Sequence, residues 1–150
     1  MGREVRKVPK DWQHPKDYNG RFEPLRDGYS GDLANFVYEV ERDGIASALD
    51  SWGGGPCSFN YMPDWPESER THFMMYEDTT EGTPKSPAFE TPEELAQWLA
   101  DSGASSFAHF AATYDEWLTV CNGRRALSGV YTESTGIISG VSALRLGDLP

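Results

Sequence analysis

The residues best suited to a reactive centre in this sequence are two thiols and three imidazoles: Cys57, Cys121, His14, His72 and His109. Together they have the ligand types of a mixed zinc site. Structural zinc sites, however, usually show a paired knuckle such as Cys-x2-Cys, and none occurs here. A Cys–His nucleophile is the other reading, and it needs a base positioned beside the thiol. Cys57 follows a glycine-rich turn and is the better candidate, but no base is evident from the spacing. Cys121 falls on the apolar face of a helix, where it reads as a small hydrophobe. His72 sits in an apolar strand pattern, which usually means a hydrogen-bonded core residue. The two cysteines are 64 residues apart. That spacing selects no disulfide, and two free thiols are expected.

Other chemistries are equally sparse. Gly53-Gly54-Gly55 has the glycine content of a phosphate loop but follows a helix, so the helix N-terminal N–H groups lie on the wrong side of it. The run Glu77-Asp78-Thr79-Thr80-Glu81 offers oxygen ligands to a cation without EF-hand spacing. Walker A, dinucleotide-binding, nucleophile-elbow and His-Glu-x-x-His motifs do not occur. No catalytic residue is assigned, and no metal or cofactor is expected.

A recognition surface is the better prospect. Tyr61-Met62-Pro63-Asp64-Trp65-Pro66 sets rigid aromatics in a proline-stiffened loop, which loses little entropy on contact. The candidate interaction residues are Tyr61, Asp64, Trp65, Glu67 and Glu69 on this loop, with Glu77, Asp78 and Glu81 at a strand end. The alternative for Tyr61 and Trp65 is that they cover an edge of the core.

The elements that must position these residues read as an α+β domain. Leu33, Phe36, Val37 and Val40 follow the i, i+3, i+4, i+7 pattern of a buried helix face. That helix is predicted over 32–49, capped by Ser30 or Asp32, and is kinked or split at Gly44. Thr91-Pro92-Glu93-Glu94 and Thr113-Tyr114-Asp115-Glu116 are capping-box sequences opening helices at 92–102 and 114–122. The best strand candidate is 71–76, with His72, Met74 and Tyr76 on one face and Phe73 and Met75 on the other. A short edge strand is expected at 86–89, and a terminal hairpin joins 128–131 to 136–141. Residues 105–112 read as a strand or a loop. The sheet is expected to be small and mainly antiparallel, built from 71–76, 86–89 and the hairpin. Predicted core residues are Leu33, Phe36, Val37, Val40, Leu49, Phe73, Met75, Leu95, Trp98, Leu99, Trp117, Leu118 and Ile138. Residues 1–29 read as an extended basic segment docked through Trp12, Tyr18, Phe22, Leu25 and Tyr29.

The stretches VPKDWQHPKD (8–17), YMPDWPESERTHFMMYEDTTEGTP (61–84), SPAFETPEELAQWLADSGAS (86–105) and ATYDEWL (112–118) together resemble a family of small uncharacterised proteins encoded by bacteriophages and prophages. The resemblance implies a protein made in the cytoplasm of a bacterial host. It carries over no activity, site residue or cofactor.

Composition narrows the remaining classes. The chain has 150 residues and a net charge of -11, from 13 Lys and Arg against 24 Asp and Glu. That length suggests one domain. Aromatics at 13% exclude wholesale disorder. The acidic excess argues against a partner of naked nucleic acid. No apolar run reaches the ~18–20 residues of a membrane span, and the polar residues 1–10 lead us to expect no signal peptide. Charge is unevenly placed: 1–26 carry +3, 27–118 carry -15 and 119–150 carry +1. Either the basic segment folds back on the acid, or the acidic body faces a basic groove on a partner. The expected function is that of a phage or prophage accessory protein that binds and modulates a host or phage protein. One version inhibits a bacterial defence system by imitating the charge of DNA. The alternative is a small enzyme or nucleotide-binding protein using His72, Glu77, Asp78 and Cys57. A homo-oligomeric assembly part is the third class, and the oligomeric state is left open.

Overall fold

The computed structural model describes residues 2–107, 110–123, 126–127, 129–133 and 136–143. The architecture is α+β, with two compact units: Met1–Glu23 together with Trp65–Pro150, and Pro24–Asp64. The expected docked segment 1–29 is thus divided between them.

The larger unit is organised by β1 (Gly2–Val8), an interior strand of a four-stranded antiparallel sheet. Its neighbours are β2 (His72–Glu77) and β6 (Ala126–Leu127), and β3 (Thr83–Pro84) pairs with the outer side of β2. The basic N-terminus is therefore not a strap across an acidic surface. Two of its cations are consumed inside the sheet. Arg3 is buried, bonded to Glu77 at 2.6 Å and to the Ser105 carbonyl at 2.9 and 3.1 Å. Arg6 is buried against Glu4 at 2.7 Å. The charges of GREVRKV fall on both faces of the strand, Arg3 and Lys7 on one and Glu4 and Arg6 on the other, and each buried one needs a partner because an unpaired buried charge is costly.

The β1–β2 register sets Arg3 opposite Glu77, Val5 opposite Met75 and Lys7 opposite Phe73. On this face lie α3 (Pro92–Asp101) and α4 (Tyr114–Cys121). Met75, Leu95, Ala96, Leu99, Trp117, Val120 and Cys121 form the core, with Phe73, Trp98 and Leu118 partly buried against it. Both helices are capped by the expected threonine, but the reciprocal box forms only on α4. Thr91 Oγ1 accepts from the Glu94 N–H, and Thr113 and Glu116 form a reciprocal capping box. Burial pushes the Cys121 thiol up to about 12, so it is inert filler.

The expected strand at 86–89 is not formed. Phe89 makes one isolated bridge to Phe73, and the sheet edge is Thr83–Pro84 instead. Pro84 and Pro87 leave too few N–H groups there for a longer ladder. The terminal hairpin exists as β7 (Gly129–Thr132) and β8 (Gly136–Ser139) but stands as a separate ladder, not part of the main sheet. Ile138 is half-buried. Between α3 and α4, β4 (Ser105–Phe107) and β5 (Phe110–Ala111) form another short pair. A short helix α5 (Gly140–Ala143) follows β8.

The smaller unit holds α1 (Tyr29–Asp43) and α2 (Ile45–Trp52), split at Gly44 with φ 91°. No L-residue adopts that φ cheaply. Ser30 and Asp32 do not cap α1; the cap position is Gly28, and both side chains bind elsewhere in the unit. The expected core residues Leu33, Phe36, Val37, Val40 and Leu49 are not buried. Their helical period is right. Within this unit only Leu25, Ala48, Tyr61 and Met62 are buried apolar residues, too few to cover both helices.

Candidate functional site

The candidate interaction residues are placed in both units and are mostly spent on structure. Tyr61 is buried, and its hydroxyl donates to Asp32 Oδ2 at 2.7 Å. Burial first, then this carboxylate, raises the Tyr61 pKa. Ser30 Oγ donates to Asp64 at 2.6 Å, and the Arg26 and Met62 backbones exchange a hydrogen bond of 2.7 Å. Residues 61–64 are thus fastened to the start of α1, and Tyr61 is a core-edge residue, not a recognition residue. Trp65 is half-buried, edge-on to Trp12 at 4.8 Å, and its carbonyl accepts from Arg70. Glu67 and Glu69 are exposed on a 3-10 turn. Glu77 is held by Arg3 and by Lys85 at 3.2 Å. Burial opposes its charge, but the two cations win and hold its carboxyl below the usual range. Glu81 is exposed in a turn at φ 63°, and the Asp78 backbone N–H donates to the Gly2 carbonyl at 2.9 Å.

The enzymatic quartet is not gathered. His72 and Glu77 sit at opposite ends of β2 and on opposite faces, as the register requires. His72 Nδ1 is 2.8 Å from the Thr71 hydroxyl. Cys57 is exposed, and residues 24–64, its own unit, contain no histidine. His109 lies outside the described residues. Among the described residues no group of three His, Cys, Asp or Glu is placed to hold a metal ion.

Two other features have the geometry of sites. The first is the helical face of the smaller unit. No residue of α1 is buried. Leu33, Val37 and Ile45 remain 38%, 45% and 57% exposed, and Phe59 is 89% exposed. Phe36 and Trp52 meet edge-on at 5.8 Å, and Trp52 Nε1 donates to Glu39, which fixes α2 against α1.

No family model, curated protein or solved structure matches the chain. Function must therefore be argued from the site geometry itself.

The second feature lies in the larger unit, on the sheet face opposite α3 and α4. Glu4, Arg6, Met74 and Tyr76 share that face. The Arg6 guanidinium stacks 4.4 Å from the Tyr76 ring centre. Residues 9–23 return over it and place His14, which is buried. His14 Nε2 is 2.6 Å from the Glu23 carbonyl, so that nitrogen carries the proton. Nδ1 then accepts from the Tyr76 hydroxyl at 3.0 Å, and that hydroxyl accepts from Trp12 Nε1 at 3.1 Å. With the imidazole of this hydrogen-bond chain neutral, Nδ1 can only accept, and the hydroxyl donates to it in preference to the Met74 sulfur 4.0 Å away. Burial is the main force lowering the His14 pKa, aided by Arg6 and opposed by the Glu23 carbonyl bond and carboxylate.

Beside this chain opens a cavity of about 670 Å3, lined in part by Trp12, His14 and Lys10. Sequence reasoning missed it. Trp12 and Lys10 were legible only as generic anchors and charges, and nothing local in VPKDWQHPKD shows that Tyr76 will meet His14. One expected anchor does not dock, Tyr18 being 97% exposed, and Phe22 docks only in part, edge-on to His14 at 5.7 Å.

Proposed function

We propose that this chain acts by binding and modulating another protein through the apolar face of α1 and α2. The observation that carries the reading is a 15-residue amphipathic helix with no buried residue. Large apolar side chains left exposed on the helices of a folded chain are characteristic of a partner interface. The charge of the same unit supports a cationic partner. Residues 24–64 hold seven carboxylates and two arginines, a net charge of -5. Two copies meeting through this face would bring those carboxylates together, which disfavours self-association. The fitting occupant is a different protein with an apolar ridge flanked by Lys and Arg. The resemblance to phage and prophage proteins supports a host or phage protein as that occupant, met in the bacterial cytoplasm. Inhibition of a defence protein with a basic groove is the version that also uses the acidic surface.

The test is the Val37→Ser/Ile45→Ser/Phe59→Ser variant, measured for affinity against the partner purified from infected host cells. All three side chains are exposed, so circular dichroism should be unchanged. Binding should weaken tenfold or more, about 1.4 kcal/mol. Undiminished affinity would remove this face from the interface. A steep loss of affinity with salt, insensitive to the triple substitution, would favour charge imitation of DNA. A dimer abolished by the same substitutions would reassign the face to self-association.

A further inference from the structure

The cavity beside the His14–Tyr76 chain, lined also by Pro84 of the edge strand β3 and Trp98 of α3, belongs to the larger unit and uses none of the residues of the α1–α2 face. Its charge is opposite to that of the chain. Lys10, Lys16 and Lys85 line it, and no Asp or Glu does. Three of 13 cationic side chains thus converge on one cavity of a molecule whose net charge is -11. Lys85 is shared with Glu77, but that carboxylate is already matched by Arg3, so the group keeps a net positive charge. Lys16 Nζ lies 4.9 Å from the centre of the Phe22 ring. Lys10 is exposed.

Flat aromatic surface accompanies the lysines. Trp12, Phe22 and Trp98 all line the cavity. Trp12 is held by its bond to Tyr76 and its edge contact with Trp65, and Trp98 is anchored on α3 beside Phe89 at 6.0 Å. Indoles fixed in this way lose little freedom when a ring stacks on them, and stacking tolerates any base. Lysines serve phosphate well as point charges. A volume of about 670 Å3 falls within the range of small-molecule sites.

The polar groups at hand do not offer reaction chemistry. Both His14 ring nitrogens are committed to protein partners. The Ser86 hydroxyl accepts from the Met75 N–H at 2.9 Å and donates to the Pro87 carbonyl at 2.8 Å. The arrangement is one for holding a ligand.

We propose that this cavity binds a nucleotide: an aromatic base packed against the Trp12 and Trp98 indoles, with its phosphate at Lys10, Lys16 and Lys85. The full chain is titrated with AMP, GMP, CMP and UMP by calorimetry and tryptophan fluorescence. At least one should bind saturably below about 1 mM. Its parent nucleoside and inorganic phosphate should each bind tenfold or more weaker. The Lys10→Glu/Lys16→Glu variant alters two exposed positions and should keep its circular dichroism while losing tenfold or more in affinity. Lys10→Ser alone should lose severalfold, and it stands in should the double variant misfold. The proposal is overturned if none of the four monophosphates binds by about 1 mM. It is equally overturned if the nucleoside binds as well as its monophosphate, or if the lysine variants bind as well as the parent chain.

Discussion

His14 shows how one residue is fixed by groups far from it in sequence. Its two nitrogens join Tyr76, 62 residues away, to the Glu23 carbonyl. Because its folded pKa lies below the ordinary 6.5, the unfolded chain takes up a proton first as pH falls. The stability it contributes is fully present above about pH 6.5 and is lost as pH drops toward the folded value. Urea midpoints should therefore fall between about pH 7.5 and pH 5.5. In His14→Gln that fall should flatten, while stability at the higher pH drops by about 1–3 kcal/mol for the broken hydrogen bonds. An unchanged pH slope in the variant would remove His14 from the titration. None of this was legible from Trp12-Gln13-His14, because the partner hydroxyl is supplied by a strand whose pairing with β1 no local pattern encodes.

At the scale of elements, the sequence was readable where a helix is governed by its own ends. Thr91 and Thr113 announce α3 and α4 through caps that the structure forms. β1 was not readable, because its charged pairs Arg3-Glu4 and Arg6-Lys7 break the period-2 alternation of a strand, and Arg3 is neutralised only by the distant Glu77. α1 was readable as a helix, but its apolar face was misread as core. Period says which residues share a face and says nothing about what covers it. The turn after α2 shows the reverse dependence of an element on its loop. Gly55 has φ 83°, and a Cβ there would lie 3.2 Å from the Phe36 ring. Gly55→Ala should destabilise the smaller unit by about 1–2 kcal/mol through backbone strain and displacement of Phe36. A thermal melt followed by helical circular dichroism reads this directly, and an unshifted melt would show that the turn relaxes freely.

At the scale of the whole molecule, burial is unequal. The larger unit concentrates the fully buried side chains, Trp117, Tyr76, Met75, Leu95 and Leu99 among them. The smaller has few, and local stability follows buried apolar contact. Amide hydrogens of α1 should exchange at least tenfold faster than those of α3 and α4, read by mass spectrometry on the native chain. Partner binding to the α1–α2 face should then slow them. Equal protection of the three helices in the free chain would contradict the open-face reading. The net charge of -11 also looks different at this scale. Cations are not spread to soften it. Two are buried in the sheet at Arg3 and Arg6 and three line one cavity, while acid such as Glu67, Glu69 and Glu81 faces outward.

The interior position of β1 bears on how the molecule is made. A ribosome releases residues 2–8 well before their ladder partners, which lie at 72–77 and 126–127. The strand must wait for residues 72–77 to satisfy one edge and for 126–127 to satisfy the other. Such long-range closure slows folding and leaves an unpaired edge exposed meanwhile. Arg3, Glu4 and Arg6, buried in the finished sheet, and the exposed Lys7 put four charges on that waiting strand, which disfavours edge-to-edge pairing with neighbouring chains.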